Sequence, residues 1–341
     1  MSDHHPPAAH RVDRRAFGVV VGLTCLALAT GCSSADSGGD TTGEYPTKPV
    51  SISVGSEPGS GWDITARAIV DSMQREKLDD TNITVQNQPG AVGCVLLNKM
   101  INNYKGDDHK IAMTSTPLFS NELRGQCDRS YTEITMIARI LTENFLLAVP
   151  ADSKYPDLKS LLEAVKTDPQ SVPIAAAGDD QLPLALLVKA AGGDPLKVNF
   201  VRFESGGEYL TALLNGDVAA SVSGVTEFGA QIEAGDLKGL AVLREERLAA
   251  PLDAIPTAKE LGYDVTVSNW RGVYGPPGMS EEAIAYWQDK IEKLLKTDSW
   301  KAIAERNQWE TTFQKGDELD AFLTKEHAAI AEALRSIGAA K

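Results

Sequence analysis

Histidine and cysteine are scarce in this chain, which narrows its chemistry. There are five histidines and four cysteines in 341 residues. Three of the histidines (His4, His5, His10) lie at the extreme N-terminus, leaving His109 and His327, each among polar residues and read as solvated surface. No C-x-x-C, H-E-x-x-H or G-x-S-x-G occurs, so a dithiol redox site, a zinc-protease helix and a serine-hydrolase elbow are all excluded. No G-x-x-x-x-G-K-[ST] or G-x-G-x-x-G occurs either, which removes the phosphate-binding P-loop and the dinucleotide fingerprint. Positive charge is also short: 33 basic against 47 acidic residues give −14. Such a surface has no basic patch with which to displace phosphate counterions, so nucleic acid is not a partner. Aromatics make up 6% and hydrophobic residues 43%, the balance of an ordinary α/β protein. The length suggests two domains.

The N-terminus reads as a targeting segment. Arg11, Arg14 and Arg15 precede "AFGVVVGLTCLALAT", Ala16 to Thr30, an apolar stretch too short for a comfortable membrane span. It ends in "LATGC", the pattern of a lipobox in which Cys32 is lipidated and becomes the new N-terminus. "DRRAF" resembles a twin-arginine export signal. Residues 1–31 are then a lipoprotein signal peptide and 32–44 a flexible tether rich in Ser, Gly and Asp. Removing the signal takes away three basic and two acidic residues and leaves −15. No later apolar run is long enough to span a bilayer. The expectation is an extracytoplasmic protein held to the cell membrane by lipid. Cys94 and Cys127 remain in an oxidising compartment, where a disulfide between them and two separate buried thiols are both open.

From Val50 onward, short β-branched strands alternate with helix-period segments: "VSISVG", a helix from Asp63 to Leu78, "ITVQNQ", a helix in "AVGCVLLNKMI", "KIAMTS". A second series runs from "VPIAAAG" through "KGLAVLRE". This order predicts parallel sheet with helices on both faces. Two long extended stretches, Met136 to Pro150 and Val265 to Met279, flank the second series and read as hinge crossovers. The expected organisation is one α/β domain from 45–143 plus 270–341 and a second α/β domain from 144–269. Ser280 to Lys341 reads as helical throughout.

Five glycine-rich or hydroxyl-rich loops fall at the C-terminal ends of strands, where open α/β sheets gather their ligands. They are "GSEPGSGWD" with Asp63 as N-cap, "NQPGAVG", "TSTP", "AGDDQ" and "ESGGE". Glycine lets backbone N–H groups approach an anion, and a helix N-terminus favours one. In the last loop Ser205 and Glu208 have capping-box spacing. Arg271, in the return crossover, is the basic residue placed to pair bidentately with a carboxylate, with a salt bridge across the hinge as the alternative.

"YPTKPVSISVGSEPGSGWDITARAI", "VQNQPGAVG" and "KGLAVLREERLAAPLDAIPTAKELGYDV" resemble the solute-binding receptors of tripartite tricarboxylate transporters, the Bug receptor family. "SVSGVTEFGAQIEAGDLKGLAV" and "NWRGVYGPPGMS" are similar to its tricarboxylate-receptor branch. The resemblance runs from about Tyr45 to the C-terminus. It implies a two-domain periplasmic-binding-protein (Venus flytrap, type II-like) clamp, an α/β fold with two hinge crossovers. It also implies a binding role without catalysis or cofactor, for a citrate-like tricarboxylate or a dicarboxylate. Delivery is to a membrane permease with one large and one small subunit. The receptor is expected to be monomeric. Ligand contacts are implied for Ser56, Gly59, Ser60, Gly61, Asp63, Gly90, Gly93, Ser115, Thr116, Gly178, Asp179, Asp180, Gln181, Ser205, Gly206 and Gly207, with Arg271 added from its own position. The chain departs from the family at "AGDDQLP", where relatives often have a Gly/Ser run and a His. Asp179 and Asp180 would repel a citrate trianion, which leaves open a dicarboxylate, a neutral or zwitterionic acid, or a metal–citrate complex. Glu204 also stands where many relatives are basic.

Overall fold

The computed structural model describes residues 45–176, 180–203 and 206–341. Cys32, the signal and tether (1–44), Gly178, Asp179 and Ser205 lie outside the described residues. So does Glu204.

Ten strands form one continuous mixed sheet. In its first half, β1 (Val50–Val54) lies between β2 (Ile83–Asn87) and β3 (Lys110–Ser115), all parallel. In its second half, β5 (Ile174–Ala176) pairs in parallel with β6 (Phe200–Arg202) and β7 (Ala220–Gly224). What joins the halves is antiparallel, a departure from the all-parallel expectation. β4 (Thr135–Pro150) runs through both. Up to Asn144 it pairs with β9 (Ser268–Gly275) and β10 (Glu310–Gln314). From Phe145 it pairs with β7 and with β8 (Leu237–Val242). A strand of 16 residues can do this because its apolar residues are buried on both faces, so it needs no polar side. The chain returns between Val267, whose N–H bonds Leu243 O in the second half, and Ser268, the start of β9 in the first.

Helices cover the sheet as the sequence alternation requires. α1 (Gly61–Arg75), α2 (Cys94–Asn102) and α3 (Pro117–Leu123) follow β1, β2 and β3. α4 (Leu158–Thr167), α5 (Gln181–Ala190), α6 (Gly206–Leu214) and α7 (Val225–Ala234) serve the second half. α8 (Glu281–Leu294), α9 (Asp298–Arg306) and α10 (Gly316–Ser336) close the first. The C-terminal region is therefore not helical throughout: β10 interrupts it, because "ETTFQ" finds the free edge of β4. No described helix is long and apolar enough to cross a membrane.

One core lies under α1, α8 and α9, around Ile52, Ile69, Met73, Trp287 and Trp300. Two others fill the second half, around Leu147, Leu161 and Leu187 and around Tyr209, Phe228 and Leu252. A fourth spans both halves, joining Leu96, Phe119, Trp270 and Leu334 to Leu182 and Ala185 of α5. It contains the disulfide Cys94–Cys127, with Cα atoms 5.8 Å apart and a sequence separation of 33. On the chain-entropy account, closing a loop of that size stabilises by about 3–4 kcal/mol. Replacing both cysteines by serine should lower the unfolding free energy from denaturant titration by about that amount. An unchanged midpoint would show that the bond constrains nothing.

Candidate ligand-binding site

The loops after β1, β2 and β3 and those before α5, α6 and α7 face one another across the crossing strands. In the first loop the residues are largely committed to each other. Ser60, not Asp63, caps α1: its Oγ accepts from Asp63 N at 3.4 Å and lies 2.5 Å from Ser56 Oγ. Asp63 sits in the first turn, buried, accepting from Gly59 N at 2.9 Å, Arg67 Nε at 2.9 Å and Asn87 Nδ2 at 3.0 Å. Burial pushes its pKa up, but these donors outweigh burial and hold it below its usual value. Asp63 therefore fixes the loop.

Gly61 is where the two halves meet. Its N–H donates to Glu227 Oε1 at 3.1 Å, and its carbonyl accepts from Arg271 Nη1 at 2.5 Å. A Cβ here would collide with the Arg271 guanidinium, so glycine is required by space rather than by backbone conformation. Arg271 was the expected ligand cation. Instead its guanidinium is buried, ion-paired with the fully buried Glu143 and bonded to Thr65 Oγ1. Glu143 in turn accepts from Thr226 N at 3.0 Å and from Thr226 Oγ1, which also receives Trp309 Nε1 at 2.7 Å. Arg271 thus joins α1 and β9 to β4 and, through Glu143, to α7.

The other side of Glu227 meets Tyr209 OH at 3.1 Å and Ser223 Oγ, and Asp180 Oδ2 accepts from the same two hydroxyls at 3.2 and 3.1 Å. Asp180 faces this network. Burial raises the Glu227 pKa, and the neighbouring Glu143 charge adds to the effect. Burial likewise raises Tyr209 well above its ordinary value. Among the described residues no group of three or more His, Cys, Asp or Glu has a geometry that could hold a metal ion.

The remaining expected positions pack around Trp62 and along the facing loops. Gly90 (φ +139°) packs on Val95 and Gly93 (φ +89°) on the Trp62 ring. Ser115 Oγ accepts from Trp62 Nε1 at 2.9 Å, and Thr116 Oγ1 donates to Asn269 Oδ1 at 3.1 Å. Gly206 and Gly207 open α6, and a Cβ on Gly207 would be 4.0 Å from Pro58 O across the cleft. Gln181 lines a cavity of ≈ 350 Å³ together with Ala91, Val92, Arg124, Gln126, Arg202 and Phe203. This cavity has walls from both halves. Arg124 Nη1 reaches Gln181 Oε1 only at 3.5 Å, and its buried Nε has no partner. Arg202 makes no hydrogen bond or ion pair among the described residues. Two guanidiniums without a carboxylate partner among the described residues therefore line a space of the size small-molecule sites occupy.

The profile of the tripartite tricarboxylate transporter family receptor matches residues 65–338. The chain belongs to that family. A UPF0065 protein in the gbd 5′ region of Cupriavidus necator is 22% identical over 327 residues, covering 95% of this chain and 98% of that one. The solved periplasmic binding protein BugD superposes with a TM-score of 0.80 at 22% identity, over 87% of this chain and all of BugD. Rpa4515 of R. palustris, solved with adipate, gives 0.79 at 19% identity over 86% and 98%. The fold is thus the two-domain clamp of periplasmic binding proteins, and the chain is a solute receptor rather than an enzyme.

Residue reading missed Glu143, Glu227 and Arg124 at this site. Glu143 carried a signal: "TEN" interrupts an otherwise apolar strand, and a charge inside a buried strand requires a partner. That partner, Arg271, is 128 positions away, a distance no local pattern spans.

Glu227 gives this receptor a defined pH response. Its folded pKa lies above the ordinary 4.5, so its contribution is fully present below about 4.5 and is lost as pH rises through the folded value. The charged groups around it are Glu143, Asp180 and Arg271, with Tyr209 neutral. Asp63 acts oppositely, losing its contribution only as pH falls below its ordinary 3.8. As pH falls from above the folded pKa of Glu227 toward its ordinary 4.5, the wild-type melting temperature should rise relative to that of Glu227→Gln. Parallel melting curves for the two proteins across that range would contradict it.

Proposed function

We infer that this receptor captures a small organic carboxylate between its two halves and hands it to a two-subunit membrane permease, from an extracytoplasmic position held by lipid on Cys32. The carrying observation is the cavity shared by the two halves, lined by Arg124 from one side and Arg202 from the other, neither with a carboxylate partner among the described residues. A ligand carboxylate there makes charge-assisted hydrogen bonds to both guanidiniums, with Gln181 alongside. It would bridge the halves and so favour closure by its differential contacts. The N-terminal turn of α1, expected to receive the ligand anion, is met by the Glu227 carboxylate. In this reading that turn and Arg271 hold the hinge while the arginines of the cavity read the charge. The adipate in the Rpa4515 structure is a ligand of the same chemical class.

A thermal-shift and calorimetric panel of mono-, di- and tricarboxylates, citrate included, tests this. At a hundredfold excess over Kd, a true ligand stabilises by about 2.7 kcal/mol. Arg202→Gln should weaken that ligand by about ten- to a hundredfold, the worth of a hydrogen bond to a charged group. A panel in which no acid binds, or an Arg202→Gln protein that binds as tightly as wild type, would sink the proposal. The anchor is tested separately: Cys32→Ser should move the full-length protein from the membrane to the soluble fraction. Retention after a high-salt wash would rule out lipidation at Cys32.

A further inference from the structure

The charge-bearing cavity does not end at its arginines. A second chamber of ≈ 400 Å³ shares Arg124, Gln126, Gln181 and Arg202 with the first. Beyond those polar residues its walls are apolar: Pro195, Leu196, Val198 and Phe200 from the second half, Ile337 and Ala339 from the first. Leu196 is 66% exposed, one of few large apolar side chains so exposed among the described residues. It lies against the backbone of Gly338, where a Cβ would be 3.2 Å from Leu196 Cδ1. The wall thus combines the exposed Leu196 with the buried Val198 and Ile337, on the seam between the halves and beside two guanidiniums that have no carboxylate partner among the described residues. A compact polyacid such as citrate has no apolar surface to offer that wall and would leave it wet. An acid with a hydrocarbon body satisfies both parts: its carboxylate meets the arginines and its body removes the wall from water.

We propose that the ligand of this receptor is an apolar-bodied monocarboxylate, a medium-chain or aryl acid, with its acid group on Arg124 and Arg202 and its body against Leu196, Phe200 and Ile337. This rests on the receptor reading above and narrows its ligand class. Closure is then driven by two contributions of different kinds. The charge contact depends on ionic strength and the apolar contact does not.

Calorimetry with unbranched acids from propionate to octanoate, with benzoate, succinate and citrate alongside, separates the two. Each methylene that enters the chamber should tighten Kd by about three- to fourfold. Leu196→Gln, an exposed position whose replacement leaves the cores intact, should flatten that dependence on chain length. Arg202→Gln should weaken every member by a similar factor and leave the dependence unchanged. Citrate or succinate binding more tightly than hexanoate and benzoate would overturn the proposal while leaving the receptor reading intact. So would a Kd independent of chain length. Failure of every acid to bind would overturn both.

Discussion

The ion pair of Glu143 and Arg271 is the constraint on which the rest of this receptor depends. Two opposite charges are taken fully out of water at the point where β4 and β9 pass between the halves. Desolvation at such a site costs several kcal/mol per ion, and mutual attraction offsets it only when other hydrogen bonds complete the shell. The surroundings supply them. Gly61 O and Thr65 Oγ1 serve the guanidinium, and Thr226 serves the carboxylate. Since those partners come from α1 and from α7, the pair cannot be satisfied unless both halves are in place. Removing one member would strand the other, at a cost of about 3–5 kcal/mol. The pair thus ties the two halves through Arg271 Nη1 and Nη2, while Arg271 Nε is left without a partner among the described residues.

From this follows a division of labour among the basic residues. Arg271 is spent on the fold, and Arg67 on Asp63 and the first loop. Arg124 and Arg202 line the cavity and have no carboxylate partner among the described residues. Glu227 meets the Gly61 N–H from the other half, so the glycine loop after β1, which reads in sequence as an anion receptor, receives the oxygen of an internal carboxyl group in structure.

Much of the fold was legible in the sequence because it is written locally. The alternation of "VSISVG", "ITVQNQ" and "KIAMTS" with amphipathic segments gave the strand and helix order to within a few residues at their ends. β10 was not legible, since "ETTFQ" is a strand only because the edge of β4 is available. The loops at the strand ends were legible in the chain; the internal bonds some of their residues make were not. Asp63 looks like a cap and is a buried brace, and Arg271 makes the salt bridge that its position also allowed. Both roles depend on partners far along the chain. Arg124 lies at the end of a short helix among polar residues, and nothing around it in sequence marks it as facing a cavity.

The account stands on which arginines meet the ligand. The Nε–Hε resonances of Arg124, Arg202 and Arg271, observed by NMR in the labelled receptor as an organic acid is titrated in, report this directly. Bound acid should shift those of Arg124 and Arg202 in step with saturation and leave that of Arg271 where it was. Calorimetrically confirmed binding that moves the Arg271 resonance, with Arg124 and Arg202 unmoved, would contradict it.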